Sequence, residues 1–400
     1  MKFGKWKIIF FALGLLIVGL WIFWPKPPEP PKTISSVREL ETHINNLINF
    51  GSPQGMSLVV VKDGKVIYKK GFGWADRPRK IAATSESVYH WWSITKIVTA
   101  IAILQLQEQG KLRLDDPVKK FLPFFIVQYP SPKSKVITLQ HLLNHSSGLP
   151  NPGFSIMSWI HHEGEPSLDQ TALIEKVLPD FSKLEFEPGD HAEYTNIGYM
   201  VLGAIIEKVT GQTYEDYIRE NILKLLAMEH TDFKYTKVME PYEAAGSHPL
   251  FNMWTPLVPF IGGSYVREIS GNHLWFERVY TDQTPPTGLI GPATDAARLA
   301  AAYLNGGELD GKRILSQETI SMMTSDENVK GKASENRLQG IGWQIYDDKG
   351  QQMITHDGGG LGFSTVMQLY PDKKLGFVLF TNDVTCEGWR ILNLAVTLNW

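Results

Sequence analysis

Ser93 and Lys96 stand three residues apart at the head of an apolar helical pattern, in the stretch HWWSITKIVTAIAILQLQEQGKL. On a helix that spacing puts both side chains on one side, one turn apart. A lysine with the ordinary pKa of about 10.4 is a poor base at neutral pH, but desolvation in a cleft leaves part of its population neutral. Such an amine would take the proton of the Ser93 hydroxyl and make its oxygen a nucleophile for a carbonyl carbon. The same residues also fit an ordinary helix start, with Ser93 as the cap and Lys96 in solvent. A Ser-x-x-Lys match arises by chance about once or twice in a chain of this length, so the spacing alone does not choose between the two.

Two further stretches bear on the choice. Tyr194-Thr195-Asn196 follows the tight-loop signal Pro188-Gly189 and precedes a strong helical pattern. There the Tyr194 phenol would relay the serine proton to a leaving group, and the Asn196 amide would hold either a substrate amide or Lys96. A second Tyr-x-Asn, Tyr303-Leu304-Asn305, ends an apolar helical run before Gly306 and Gly307 and reads as core and C-cap. The third stretch, THDGGGLGF from Thr355 to Phe363, lies between strand-like segments. Gly358 and Gly359 remove side chains and would let a substrate lie along a sheet edge. His356 would donate to a developing charge or orient an acyl group.

The elements that must position these residues can be read from periodicity. SVRELETHINNLINF is amphipathic, with Leu40, Ile44, Leu47 and Ile48 on one side. MSLVVVKDGKVIYKKGFGWAD predicts two strands around an Asp63-Gly64 turn. Helices between Pro/Gly-rich loops fill residues 139 to 219. Residues 241 to 289 are aromatic and irregular, including Phe251, Trp254, Phe260, Trp275, Phe276 and Tyr280, and suit either a covering loop or an apolar substrate wall. A helix over 293 to 305, several short strands and a terminal helix near 386 to 397 follow. This order predicts an α/β plus α fold. Its antiparallel sheet is built from early and late strands and flanked by helices, with a mostly helical lobe, about residues 93 to 305, inserted between them.

Composition narrows the partners. A net charge of -3 over 400 residues offers no broad field for a nucleic-acid backbone, so none is expected. The single Cys386 excludes intrachain disulfides and Cys-rich metal sites. At the start, Lys2, Lys5 and Lys7 precede an uncharged run from Ile8 to Trp24, which at 1.5 Å per residue would span about 26 Å as a helix. It reads as a retained transmembrane helix in residues 1–24, contacting the lipid bilayer through residues 8–24, or as a signal segment. Residues 25–35 form a Pro-rich linker, and 36–400 the remaining domain, placed outside a cytoplasmic N-terminus at the cell membrane. The oligomeric state is left open.

In order and context the three stretches resemble the serine beta-lactamase and penicillin-binding-protein superfamily, above all its class C-like branch with D-alanyl-D-alanine carboxypeptidases, D-aminopeptidases and carboxylesterases. SITK is similar to its Ser-x-x-Lys motif, YTN to its Tyr-x-Asn motif and HDG to its third box. ITLQHLLNHSSGLP and YTNIGYMVLGAIIEKVTG are also family-like, and the resemblance covers roughly residues 36 to 385. It implies a hydrolase that cleaves an ester or peptide-like amide without metal or organic cofactor. Ser93 would be the acyl-forming nucleophile, Lys96 its proton acceptor and Tyr194 the general base and acid, while Asn196 would orient the substrate and His356 would supply the electrostatics of the third box. The Ser93 and Gly359 N–H groups would form an oxyanion hole beside Gly358. Asp357 departs from the family's Thr or Ser, and its carboxylate would repel carboxylate-bearing substrates unless His356 is protonated or Asp357 points away. Beta-lactamase or carboxypeptidase action is the alternative within the family. A non-catalytic cell-envelope binding or regulatory protein is the alternative outside it.

Overall fold

The Asp63-Gly64 turn has φ of 49° and 73° at its two central residues, the left-handed pair that a two-residue hairpin of this twist requires. It joins β1 (Gly55–Lys62) to β2 (Lys65–Asp76). The computed structural model describes residues 27–165, 167–250, 255, 263–325, 328, 330–331, 338–348 and 350–400. Around the hairpin, β3 (Ile81–Ala82), β4 (Lys330–Gly331), β5 (Leu338–Gln339), β6 (Gln344–Asp348), β7 (Gln351–Gly360), β8 (Phe363–Tyr370) and β9 (Leu375–Thr381) complete an antiparallel sheet. Among the described residues its order is β4-β5-β6-β7-β8-β9-β1-β2-β3. Early β1 therefore lies beside late β9, with Val59 opposite Val378.

Both faces of the sheet are covered, which is why β1 is buried almost throughout. Met56, Leu58 and Val60 meet helix α1 (Val37–Phe50) and the terminal helix, through Leu40, Ile44, Ile391 and Leu392. Val59 and Val61 alternate to the other face and join the main core. That core contains α2 (Thr95–Glu108), α3 (Asn196–Thr210) and α4 (Ala293–Leu304). Tyr303 is buried at the end of α4, edge-on to Trp343 at 5.0 Å, and Asn305 caps the helix, as expected for core and cap.

Two expectations are corrected. The aromatic region is less irregular than its sequence suggests, because Ser247–Pro249, Val266–Ser270 and His273–Phe276 form a small sheet with Trp275 and Phe276 buried. Phe251, Trp254 and Phe260 lie outside the described residues. Among the described residues no helix is long and apolar enough to cross a membrane. Among the described residues the fold is thus α/β plus α with a helix-flanked sheet and a helical lobe, and the expected transmembrane helix, with the bilayer contact and cell-membrane location drawn from it, finds no support among them. Residues 8–24, on which those expectations rested, lie outside the described residues.

Candidate active site

Ser93 sits in a 3-10 turn, Trp92–Ile94, that runs into α2. The helix is capped by Ile94 without a side-chain bond, so Ser93 is not its cap. The turn is held in an unusual backbone: Trp92 has φ 48°, a left-handed conformation that bulky residues rarely adopt. Strain of that kind costs about 1–3 kcal/mol and persists only where the surroundings enforce it. Here the Thr365 hydroxyl donates to the Trp91 carbonyl at 2.9 Å, Trp91 N–H donates to the Leu289 carbonyl at 2.8 Å, and the Trp92 ring stacks on His90 at 5.5 Å.

Lys96 is fully buried, in a helix whose residues from Thr95 to Leu106 are all buried. Its Nζ lies 2.7 Å from Asn196 Oδ1, 3.2 Å from the Pro286 carbonyl oxygen and 3.2 Å from Ser93 Oγ. The amine also stands over the Tyr194 ring at 4.8 Å and the Tyr199 ring at 5.7 Å. Desolvation pushes its pKa well below the usual lysine value. Neutral Lys96 has two N–H donors and one lone pair. The amide and carbonyl oxygens can only accept, so in that neutral form the two donors go there and the lone pair is left for the Ser93 hydroxyl, whereas the charged amine donates to Ser93 Oγ as well. Ser93 and Lys96 are thus brought together in the geometry that general-base activation needs.

Asn196 opens α3, with Thr195 as its cap, and Tyr194 stands just before it. The Tyr194 ring is 4.5 Å from that of His145 and 6.1 Å from that of His356, centroid to centroid. His145 was not singled out from the sequence. Its Nδ1 accepts from Thr195 N–H at 3.3 Å and its carbonyl accepts from Glu193 N–H at 2.9 Å, bracketing Tyr194 on both sides. Buried Asn144, His145, Ser146 and Ser147 in one loop are a polar run that needs internal partners. That is the signal the sequence held. The Pro286 carbonyl had none, being backbone.

His356 is buried on β7, and its Nδ1 donates to the Asp357 carbonyl at 2.8 Å. The strand's alternation turns Asp357 to the opposite, exposed face. Its carboxylate therefore points away from the Ser93 side, the condition under which the expected repulsion is relieved. β6 pairs with β7 only as far as Thr355. Among the described residues His356 to Gly360 have no strand on that edge, although β8 pairs the other one. A cavity of about 240 Å³ opens beside Tyr194, bounded by Asn151, Glu185, Glu193 and Gln339.

Gly358 and Gly359 differ in what their missing side chains allow. A Cβ on Gly358 would lie 2.2 Å from the Trp91 carbonyl oxygen, 2.3 Å from Thr365 Oγ1 and 3.2 Å from Ser93 N, whereas one on Gly359 meets nothing within 4 Å. Gly358→Ala should therefore lower stability by about 1–3 kcal/mol through overpacking, and Gly359→Ala should stay within about 0.5 kcal/mol of the parent. Thermal or denaturant unfolding of the two variants checks this. Equal losses would contradict the close approach of β7 to the Ser93 turn.

The chain is similar to known proteins over most of its length. It is 28% identical to Protein flp of Staphylococcus aureus strain MW2 over 361 residues, covering 88% of this chain and 64% of that relative. The chain thus spans less than two thirds of that longer protein. The octameric penicillin-binding protein homologue from Pyrococcus abyssi superposes with a TM-score of 0.73 at 29% identity, over 91% of this chain and 78% of that one. The D-amino acid amidase from Ochrobactrum anthropi SV3 shares the fold, with a TM-score of 0.70 at 21% identity over 90% and 99% of the two chains. The family model described as Beta-lactamase matches residues 43–395, and the chain belongs to that family.

Proposed function

We propose that this chain hydrolyses an ester or peptide-like amide through a covalent acyl-enzyme on Ser93, with residues 36–400 as the catalytic unit. The observation that carries this reading is the fully buried Lys96 amine 3.2 Å from Ser93 Oγ, with its two other polar contacts confined to acceptors. As Oγ adds to the carbonyl carbon, its proton passes to Lys96 Nζ. The charge that develops on the carbonyl oxygen is met by the N–H groups of Ser93 and Gly359. Tyr194 carries a proton between the amine and the leaving group, and the C–O or C–N bond breaks to release alcohol or amine. Water then attacks the acyl-Ser93 ester by the reverse proton path and regenerates the hydroxyl. Asn196 holds Lys96, and His356, whose ring lies 6.1 Å from that of Tyr194, stands on β7, whose open edge receives the substrate.

The test is a fluorophosphonate reaction with the intact protein, followed by mass spectrometry of its peptides, together with turnover of D-peptides, short-chain esters and beta-lactams. An adduct on the Ser93 peptide with hydrolysis of at least one ester or amide is expected. A folded chain with neither would overturn the catalytic reading in favour of a binding role.

Substrate charge supplies a second expectation. Because Asp357 is exposed on the far face of β7, solvent and salt screen its charge from the Ser93 side. Asp357→Asn should change the ratio of kcat/KM for carboxylate-bearing and neutral esters by less than about threefold. A tenfold or larger gain for the anionic ester would show that the carboxylate does act on the substrate.

A further inference from the structure

A second cavity, of about 450 Å³, lies against His90, whose ring stacks on Trp92, and has within its wall none of the residues assigned to the chemistry. That volume is ordinary for a small-molecule site. His90 forms part of the wall, is 3% exposed, and has an Nδ1 without a hydrogen-bond partner. A buried polar atom of this kind is normally satisfied, and a small shift of the ring toward the cavity would bring it to a ligand's polar group. The ring of His90 is stacked on Trp92 at 5.5 Å and lies 5.3 Å from Phe363 and 6.0 Å from Tyr235. With Phe276 these rings give one side of the cavity an aromatic surface.

The other side carries charges that are already matched. Arg278 donates to Glu243 at 2.6 and 3.1 Å and to Glu163 at 3.1 Å, and Arg267 donates to Asp76 at 2.9 and 3.0 Å. The remaining ionisable residues of the wall, Arg79 and Glu277, are opposite in sign and exposed. A ligand with net charge would have to compete with these pairs. Neutral amide groups would not, because each guanidinium has five N–H donors and uses three of them in these pairs and the Arg267–Glu268 contact, leaving N–H groups for carbonyl oxygens. Burial lowers the His90 pKa to about 4, so the imidazole is neutral near pH 7 and its unpartnered Nδ1 either donates to a carbonyl oxygen or accepts from an amide N–H, according to tautomer.

β7 links this cavity to the nucleophile. Gly358 passes Ser93 N, a Cβ on Gly360 would meet the Trp92 ring at 2.3 Å, and Phe363 just beyond the turn touches His90. Two residues of strand advance about 6–7 Å. We propose that the His90 cavity is a distal subsite that takes an uncharged peptide-like group with an apolar or aromatic side chain, about two residues from the bond cleaved at Ser93. The subsite extends the acyl-enzyme reading given above and rests on it for its role, though not for its occupancy.

The experiment uses the full chain carrying Ser93→Ala, titrated by calorimetry with N-acetyl-phenylalanyl-alanine amide and with N-acetyl-alanine amide, in all-L and all-D forms. One form of the capped dipeptide should bind at least tenfold tighter than the capped single residue. His90→Phe, which keeps the ring and removes both nitrogens, should abolish that difference, as should Ala245→Leu, which fills the cavity. In the otherwise native enzyme neither change should alter turnover of a short acetyl ester more than about twofold. Equal binding of the two amides overturns the proposal, as does preference for a charged analogue or an unaltered preference in both folded variants. Because binding is read without turnover, a missing adduct on Ser93 would sink the catalytic reading while leaving the subsite standing.

Discussion

Ser93→Ala should lower kcat/KM for any ester or amide that the parent hydrolyses by about 10⁴-fold or more, and should remove fluorophosphonate labelling altogether. Removing a nucleophile that acts as a unit with its base forfeits nearly the whole of their joint contribution, and effects of that order are usual for such residues. The fold should be unaffected. Ser93 is half-buried, its turn is held through Trp91 and Trp92, and among the described residues its hydroxyl bonds the Lys96 amine alone, at 3.2 Å. Its melting temperature should accordingly stay near that of the parent, so loss of activity cannot be ascribed to unfolding. Persistent labelling of the alanine variant would assign the nucleophile elsewhere. A loss of only a few-fold in turnover would show that Ser93 is a bystander to the chemistry.

How far the sequence revealed this arrangement depends on how local each constraint is. The Asp63-Gly64 hairpin was legible because the turn needs two left-handed residues and Asp-Gly supplies them at low strain. Ser93, Lys96, Asn196 and Tyr194 were legible as residue types at short spacings, and they do converge. Ser93 as a helix cap was the local reading that lost, because the Trp92 backbone turns the hydroxyl out of the cap position and Ile94 takes it. What the sequence hid is long-range. No spacing announces that the Pro286 carbonyl will receive an N–H of Lys96, that Gly360 will lie against Trp92, or that His145 will face Tyr194. Nor did periodicity reveal the strands around Trp275, whose register shifts between Val266 and Glu268 break the alternation that would have marked them. Asp357 shows the same limit from the other side. Its identity suggested repulsion, but the pleat decides where the charge goes.

Lys96→Met should reduce kcat/KM by about 10²–10⁴-fold, the range for loss of a positioned general base, and should also change how stability depends on pH. With Lys96 as the proposed base, the active species in the parent would be the neutral amine, so activity should rise with pH through the lowered pKa of Lys96. Methionine fills similar volume and carries no proton, so the residual activity of the variant should lack that limb. The stability effect has a definite sign. Between the lowered folded pKa and the unfolded value near 10.5, the unfolded chain holds a proton on Lys96 that the folded chain does not. Unfolding therefore takes up a proton in that window, and stability should increase with pH there by up to about 1.4 kcal/mol per unit from this residue. Below the folded pKa the contribution is flat, because both states are protonated. The variant leaves the Asn196 and Pro286 oxygens without the amine, a loss that lowers stability equally at every pH and does not alter the slope. Denaturant unfolding of both proteins from pH 5 to 10 isolates the residue as the difference between two curves. A difference that does not vary with pH would mean that Lys96 is charged in the folded chain, and it could not then be the base that activates Ser93.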